Sequence, residues 1–128
     1  MTSRTRQERE AEGRKAEIHV ARWLKLRGWT IKAQRFKVAE GEIDLIAQKG
    51  KIIAFVEVKQ RETLPIKDDL VTAQNEQRLM AAAEIWVNQN FESLPSDFEI
   101  RYDLATIEGR VRPLSKISYI PHAFRGDW

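Results

Sequence analysis

Four charged residues interrupt two otherwise apolar runs in the stretch GEIDLIAQKGKIIAFVEVKQR, from Gly41 to Arg61: Glu42, Asp44, Glu57 and Lys59. Residues two apart on a strand point to one face, so Glu57 and Lys59 share a face while Val56 and Val58 share the other. The preceding run, Ile52 to Val56, is apolar on both faces, as in a strand covered on both sides. Charges at the end of such a strand are partly desolvated, and an unpaired buried charge is costly, so they must pair or bind an ion. Asp44 belongs to the preceding run, and a hairpin across Gln48 to Lys51 can bring it beside Glu57. Two carboxylates suit a hard cation such as Mg²⁺, which binds through one or two carboxylates and keeps several waters. A neighbouring lysine can position or activate an attacking water and balance charge on a phosphate. The plainer reading is a structural ion pair in which Lys59 meets Asp44 or Glu57 and fixes strand register. Spacing does not decide between the two.

The elements that must position these residues follow from periodicity. Glu10 to Arg27 fits a helix, with Ala16, Val20, Trp23 and Leu24 at helical spacing and Gly28 as its stop. Glu17 shares a face of that helix with Gly13, Val20, Ala21 and Leu24, so an acid stands on a face that has to pack. The competing reading is a Glu at the stripe edge reaching water. Trp29 to Phe36 reads as a first strand, Glu42 to Gln48 as a second and Lys51 to Gln60 as a third, the last two forming an antiparallel hairpin. Arg61 to Lys67, marked by Pro65, is a loop. A second helix is expected from about Asp69 to Gln89, with Leu70, Ala73, Leu79, Ala83 and Trp86 among its apolar positions. Leu94 to Asp97 breaks the chain, and Phe98 to Ile107 resumes a strand by alternation. The remainder is expected to hold a short strand and a terminal segment carrying Phe124. The order α-β-β-β-α-β plus a tail predicts an α/β fold, a mixed central sheet flanked by helices.

Length and composition narrow the rest. A chain of 128 residues suits one domain, here expected over residues 10–128 behind a flexible basic segment at 1–9. A hydrophobic content of 42% supplies one core. No run approaches the roughly 18 apolar residues of a membrane span. The N-terminal residues lack the apolar centre of a secretory signal. With no Cys there is neither a disulfide framework nor a thiolate metal site, and a cytoplasmic protein is the simplest expectation. The net charge of +3 is compatible with nucleic acid but is weak evidence alone. His19 and His122 have no metal-ligand spacing and read as surface or packing residues. Trp23, Trp29 and Trp86 read as packing, Asp103 beside Arg101 as an ion pair, and Arg4, Arg6 and Arg9 as a plain basic lead-in. No Gly-rich phosphate loop, Ser/His/Asp set or dinucleotide fingerprint is present.

The segments GRKAEIHVARWLKLRGW, GEIDLIA and FVEVKQR together resemble the bacterial YraN-type family, and RYDLATI and YIPHAF extend the likeness to roughly residues 10–125. That family is similar to the PD-(D/E)XK nuclease superfamily, which includes restriction-endonuclease-like domains and archaeal Holliday-junction resolvases. The resemblance implies a restriction-endonuclease-like core and a metal-dependent endonuclease acting on nucleic acid, DNA favoured over RNA. It implies Mg²⁺ as cofactor, with Mn²⁺ as a substitute. Asp44 would be the strand-two metal ligand, Glu57 and Lys59 the acid and lysine of the Glu-X-Lys motif, and the Val58 carbonyl a further ligand. Glu17 would be the helix acid near the metal. Glu42 belongs to the motif with no assigned role. Gln74 or Asn75 stands where relatives often carry Lys, leaving Gln74, Gln77 or Arg78 to orient water or phosphate. Tyr102 and His122 replace a Phe and an Asn. A binding module of the same fold without turnover, or a partner-binding domain, are the alternatives.

Overall fold

The computed structural model describes residues 5–62 and 73–124, which form two α-helices and five strands. Helix α1 (Arg6–Leu26) begins with Thr5 as its cap, whose hydroxyl accepts from the Glu8 N–H at 3.1 Å. It therefore takes in residues 6–9, expected to precede it. That first turn is exposed throughout, so no apolar period announced it. At the other end Gly28, with φ 92°, closes the helix: the Trp29 N–H reaches the Leu24 carbonyl and the Gly28 N–H that of Lys25. This is a Schellman ending, and it needs the left-handed conformation that glycine adopts freely.

The strands are β1 (Thr30–Val38), β2 (Gly41–Lys49), β3 (Ile52–Arg61), β4 (Glu99–Glu108) and β5 (Ser118–Ile120), with α2 (Ala73–Asn90) between β3 and β4. They lie in one sheet in the order β1-β2-β3-β4-β5. β3 and β4 are parallel and every other neighbouring pair is antiparallel. The sheet is mixed, as the element order predicts, and β5 is the short strand expected in the tail. The hairpin from β2 to β3 turns on Gly50 and Lys51, Gly50 having φ 60°. The expected loop after Arg61 and the first residues of the expected second helix fall largely outside the described residues.

One helix covers each face. Ala16, Val20, Ala21 and Leu24 of α1 pack on Leu45, Ala47, Ala54, Val56, Ala105 and Ile107. Leu79, Ala83 and Trp86 of α2 pack on Ile43, Ile46, Ile53, Phe55 and Leu104, and Phe124 joins them. Burial of these apolar side chains is the main favourable contribution to the fold. Gly41 lets α2 approach β2 closely, because a Cβ there would overlap the Arg78 carbonyl. Among the described residues no helix is long and apolar enough to cross a membrane.

Candidate functional site

The site forms where two strands part. β2 and β3 pair from Lys49 and Ile52 up to Leu45 and Val56. Beyond that point β2 stays with β1 as far as Gly41, while β3 stays with β4 as far as Arg61. The two arms open a fork, with Asp44 on one and Glu57 and Lys59 on the other. Strands that separate leave ladder groups without backbone partners, and a buried orphan donor is costly. Asp44 fills that role: its Oδ2 accepts from the Val58 N–H at 2.8 Å. A strand residue presents its N–H and C=O to the same neighbour. The Val58 carbonyl is therefore directed to the Asp44 side as well.

Lys59 and Glu57 lie on one face of β3, as alternation predicts, with Lys59 Nζ 3.6 Å from Glu57 Oε1 and both side chains largely covered. The ion pair lies within one strand, and Glu57 links it to Asp44 across the fork. Burial, then the Asp44 charge and a hydrogen bond to Asp44, push the Glu57 carboxyl up to about 9 against the opposing pull of Lys59. Glu17, on the packed face of α1, is pushed up to about 7, by burial first and Asp44 next, with Arg35 and Lys37 acting against the rise. The charge of Asp44 thus acts on both acids. Among the described residues no three His, Asp or Glu side chains form a group that could hold a metal ion by themselves. The donor set is oxygen only: the Asp44 and Glu57 carboxylates and the Val58 carbonyl, with Glu17 next to Asp44. Such a partial shell fits Mg²⁺, which completes its coordination with water and substrate rather than inside an all-protein cage.

Other expected residues lie elsewhere. Gln74 is exposed in the first turn of α2, with no hydrogen bond or ion pair to the acids or Lys59 among the described residues; Gln77 and Arg78 are exposed too. Glu42 lies on the surface, 3.9 Å from Lys37 across the β1–β2 ladder. Asp103 is fully buried and satisfied by Arg101 at 2.9 Å, the Tyr119 hydroxyl at 2.5 Å and the His122 N–H at 3.1 Å. It ties β4 to β5 and the tail, as the ion-pair reading holds. His19 bonds the Ser115 carbonyl. Trp86 lies in the core, Trp23 stacks on Tyr119, and Trp29 lies beneath Arg101.

Two residues carry no sequence signal. Glu12 is buried in α1 and accepts from the Val111 N–H, clamping the segment after β4. Arg35 has φ 53° inside β1, a conformation that costs a non-glycine residue roughly 1–3 kcal/mol. It stands opposite Asp44, between the pairs Gln34–Leu45 and Phe36–Ile43. Here both strands break alternation: Ala33 and Phe36 lie on the α2 side, as do Ile43 and Ile46, although each pair is an odd number of residues apart. Leu45 and Ala47 lie on the α1 side.

Residues 16–107 match the model of the uncharacterised protein family UPF0102. A UPF0102 protein of Rhodopseudomonas palustris (strain HaA2) is 39% identical over 112 residues, covering 88% of this chain and 83% of the relative. One from Erythrobacter litoralis (strain HTCC2594) is 48% identical over 79 residues, 62% of this chain and 68% of the relative. Another, from Bartonella tribocorum (strain CIP 105476 / IBS 506), is 40% identical over 116 residues, 90% and 84% of the two chains. The sequence motifs and these matches agree that the chain belongs to the UPF0102 family.

Proposed function

We propose that this protein is a divalent-metal-dependent endonuclease that hydrolyses phosphodiester bonds in nucleic acid, DNA in preference to RNA. The observation that carries the reading is the fork between β2 and β3. It sets Asp44 beside the Val58 amide and faces it with a covered Glu57–Lys59 pair at the end of a core strand. Two acids crowded together, one of them holding a proton to high pH, form a site whose repulsion a cation relieves. Asp44, Glu57 and the Val58 carbonyl would hold Mg²⁺ or Mn²⁺, with Glu17 beside them. When bound, the ion supplies a Lewis acid for the phosphorus centre. Lys59, held by Glu57, orients the attacking water and offsets the charge that builds on the phosphate. Gln74, at the exposed start of α2, is the candidate for a second contact to water or phosphate.

The test incubates the purified protein with single-stranded, flapped and branched DNA, and with RNA, in Mg²⁺ or Mn²⁺. Asp44→Ala and Lys59→Ala should each lower cleavage at least 10²-fold, the scale of a lost electrostatic group in an active site. Cleavage that persists in either variant sinks the mechanism. Salt-dependent DNA binding with no cleavage by the wild type identifies instead a binding module without turnover.

A further inference from the structure

Arg35 is the one described non-glycine residue with a left-handed backbone inside a strand, and it lies at the mouth of the fork. Its Nε is 3.8 Å from Glu17 Oε1, beyond hydrogen-bonding distance, and its side chain is 42% exposed. Among the described residues its side chain makes no hydrogen bond, and the ion pair with Glu17 uses one edge of a planar guanidinium that carries five N–H donors. Lys37, the next cation along this edge, makes an ion pair of similar length, 3.9 Å, with the exposed Glu42. Lys59 is engaged by Glu57. The unusual φ, together with the break in alternation shared with β2, places Arg35 opposite Asp44 on the edge strand. A structural partner for Glu17 alone would not need the strained backbone.

We propose that Arg35 is a phosphate-contacting residue of this site, its guanidinium taking two oxygens of the bound strand's backbone next to the acids. This rests on the nuclease reading, which supplies the phosphodiester. Guanidinium geometry matches two phosphate oxygens at once, whereas a lysine offers a point charge. Glu17 holds the side chain near the fork in the free protein and gives it up to the incoming phosphate.

The proposal is tested with Arg35→Gly, which tolerates the backbone conformation, and Arg35→Lys, which keeps charge without the donor fork. Affinity for a labelled branched DNA is measured across salt concentrations in Ca²⁺, cleavage in Mg²⁺ or Mn²⁺, and folding by thermal melting. Arg35→Gly should melt no lower than wild type, bind about tenfold more weakly and reduce the slope of log K against log salt by about 0.9, the value of one duplex phosphate contact. Arg35→Lys should restore the slope while cleavage stays at least tenfold below wild type. An Arg35→Gly protein with wild-type affinity, slope and cleavage overturns the proposal alone. A wild-type protein that neither binds nor cuts nucleic acid overturns it together with the nuclease reading.

Discussion

At the scale of the residue, Asp44, Glu57 and Lys59 were legible because a charge inside an apolar run is expensive and demands a partner. Arg35 and Glu12 were not: an arginine on an edge strand and a glutamate on a helix look ordinary until the backbone and the neighbours are known. The raised Glu57 carboxyl has a measurable consequence. Its folded-state value near 9 exceeds the ordinary 4.5, so the folded protein binds a proton more tightly than the unfolded chain does. The resulting stabilisation is complete below about pH 4.5 and is lost as pH rises toward 9. In EDTA the melting temperature of the wild type should fall across pH 5 to 9. Glu57→Gln, neutral throughout, should flatten the fall above pH 7, where Glu17, pushed up only to about 7, no longer contributes much. Parallel slopes for the two proteins would refute the assignment. On the nuclease reading Mg²⁺ would displace that proton, so its stabilising effect should be larger at pH 8 than at pH 6 and absent in Asp44→Ala.

At the scale of the element, the order of helices and strands followed from periodicity, and the mixed sheet followed from the order. What periodicity could not supply was the break in alternation at Arg35 and Asp44, since a period-two pattern assumes an unbroken pleat. Nor did it explain Gly41, which resembles any turn residue in sequence. Its position under the Arg78 carbonyl makes it the contact that seats α2 against the strand carrying Asp44. Backbone cannot move aside as a side chain can, so Gly41→Ala should cost about 2 kcal/mol or more, read as a lower urea midpoint. On the nuclease reading cleavage should fall with it, because β2 and α2 shift relative to each other. A variant of wild-type stability would show that α2 can retreat without loss. Asp103→Ala makes a useful contrast. It leaves the half-buried Arg101, the Tyr119 hydroxyl and the His122 N–H without their shared acceptor, at a cost of about 3–5 kcal/mol. It lies outside the fork, so cleavage per folded molecule should hold.

At the scale of the whole molecule, the chain carries a net charge of +3, yet its proposed catalytic fork sets carboxyl groups among the cations where a phosphate would enter. On the nuclease reading this makes metal-free binding a contest. Basic residues such as Arg35 and Lys37 on the β1 edge draw the phosphate backbone in, and the acids repel the phosphate that must enter. Near neutral pH Glu57, pushed up to about 9 by burial and by Asp44, keeps its proton and adds little charge to the fork. Replacing both acids by Asp44→Asn and Glu57→Gln leaves no carboxylate on the facing arms, while the asparagine oxygen can still accept from the Val58 N–H. One unit charge about 4 Å from a phosphate is worth about 1 kcal/mol in water, or about fivefold in affinity. The double variant should therefore bind DNA about fivefold more tightly than wild type in EDTA, and cut none in Mg²⁺. Adding Ca²⁺ should strengthen wild-type binding and leave the variant unchanged, since the cation then does for the wild type what the substitutions do permanently. Equal affinities in EDTA, or a gain from Ca²⁺ in both proteins, would mean that the phosphate does not approach this fork.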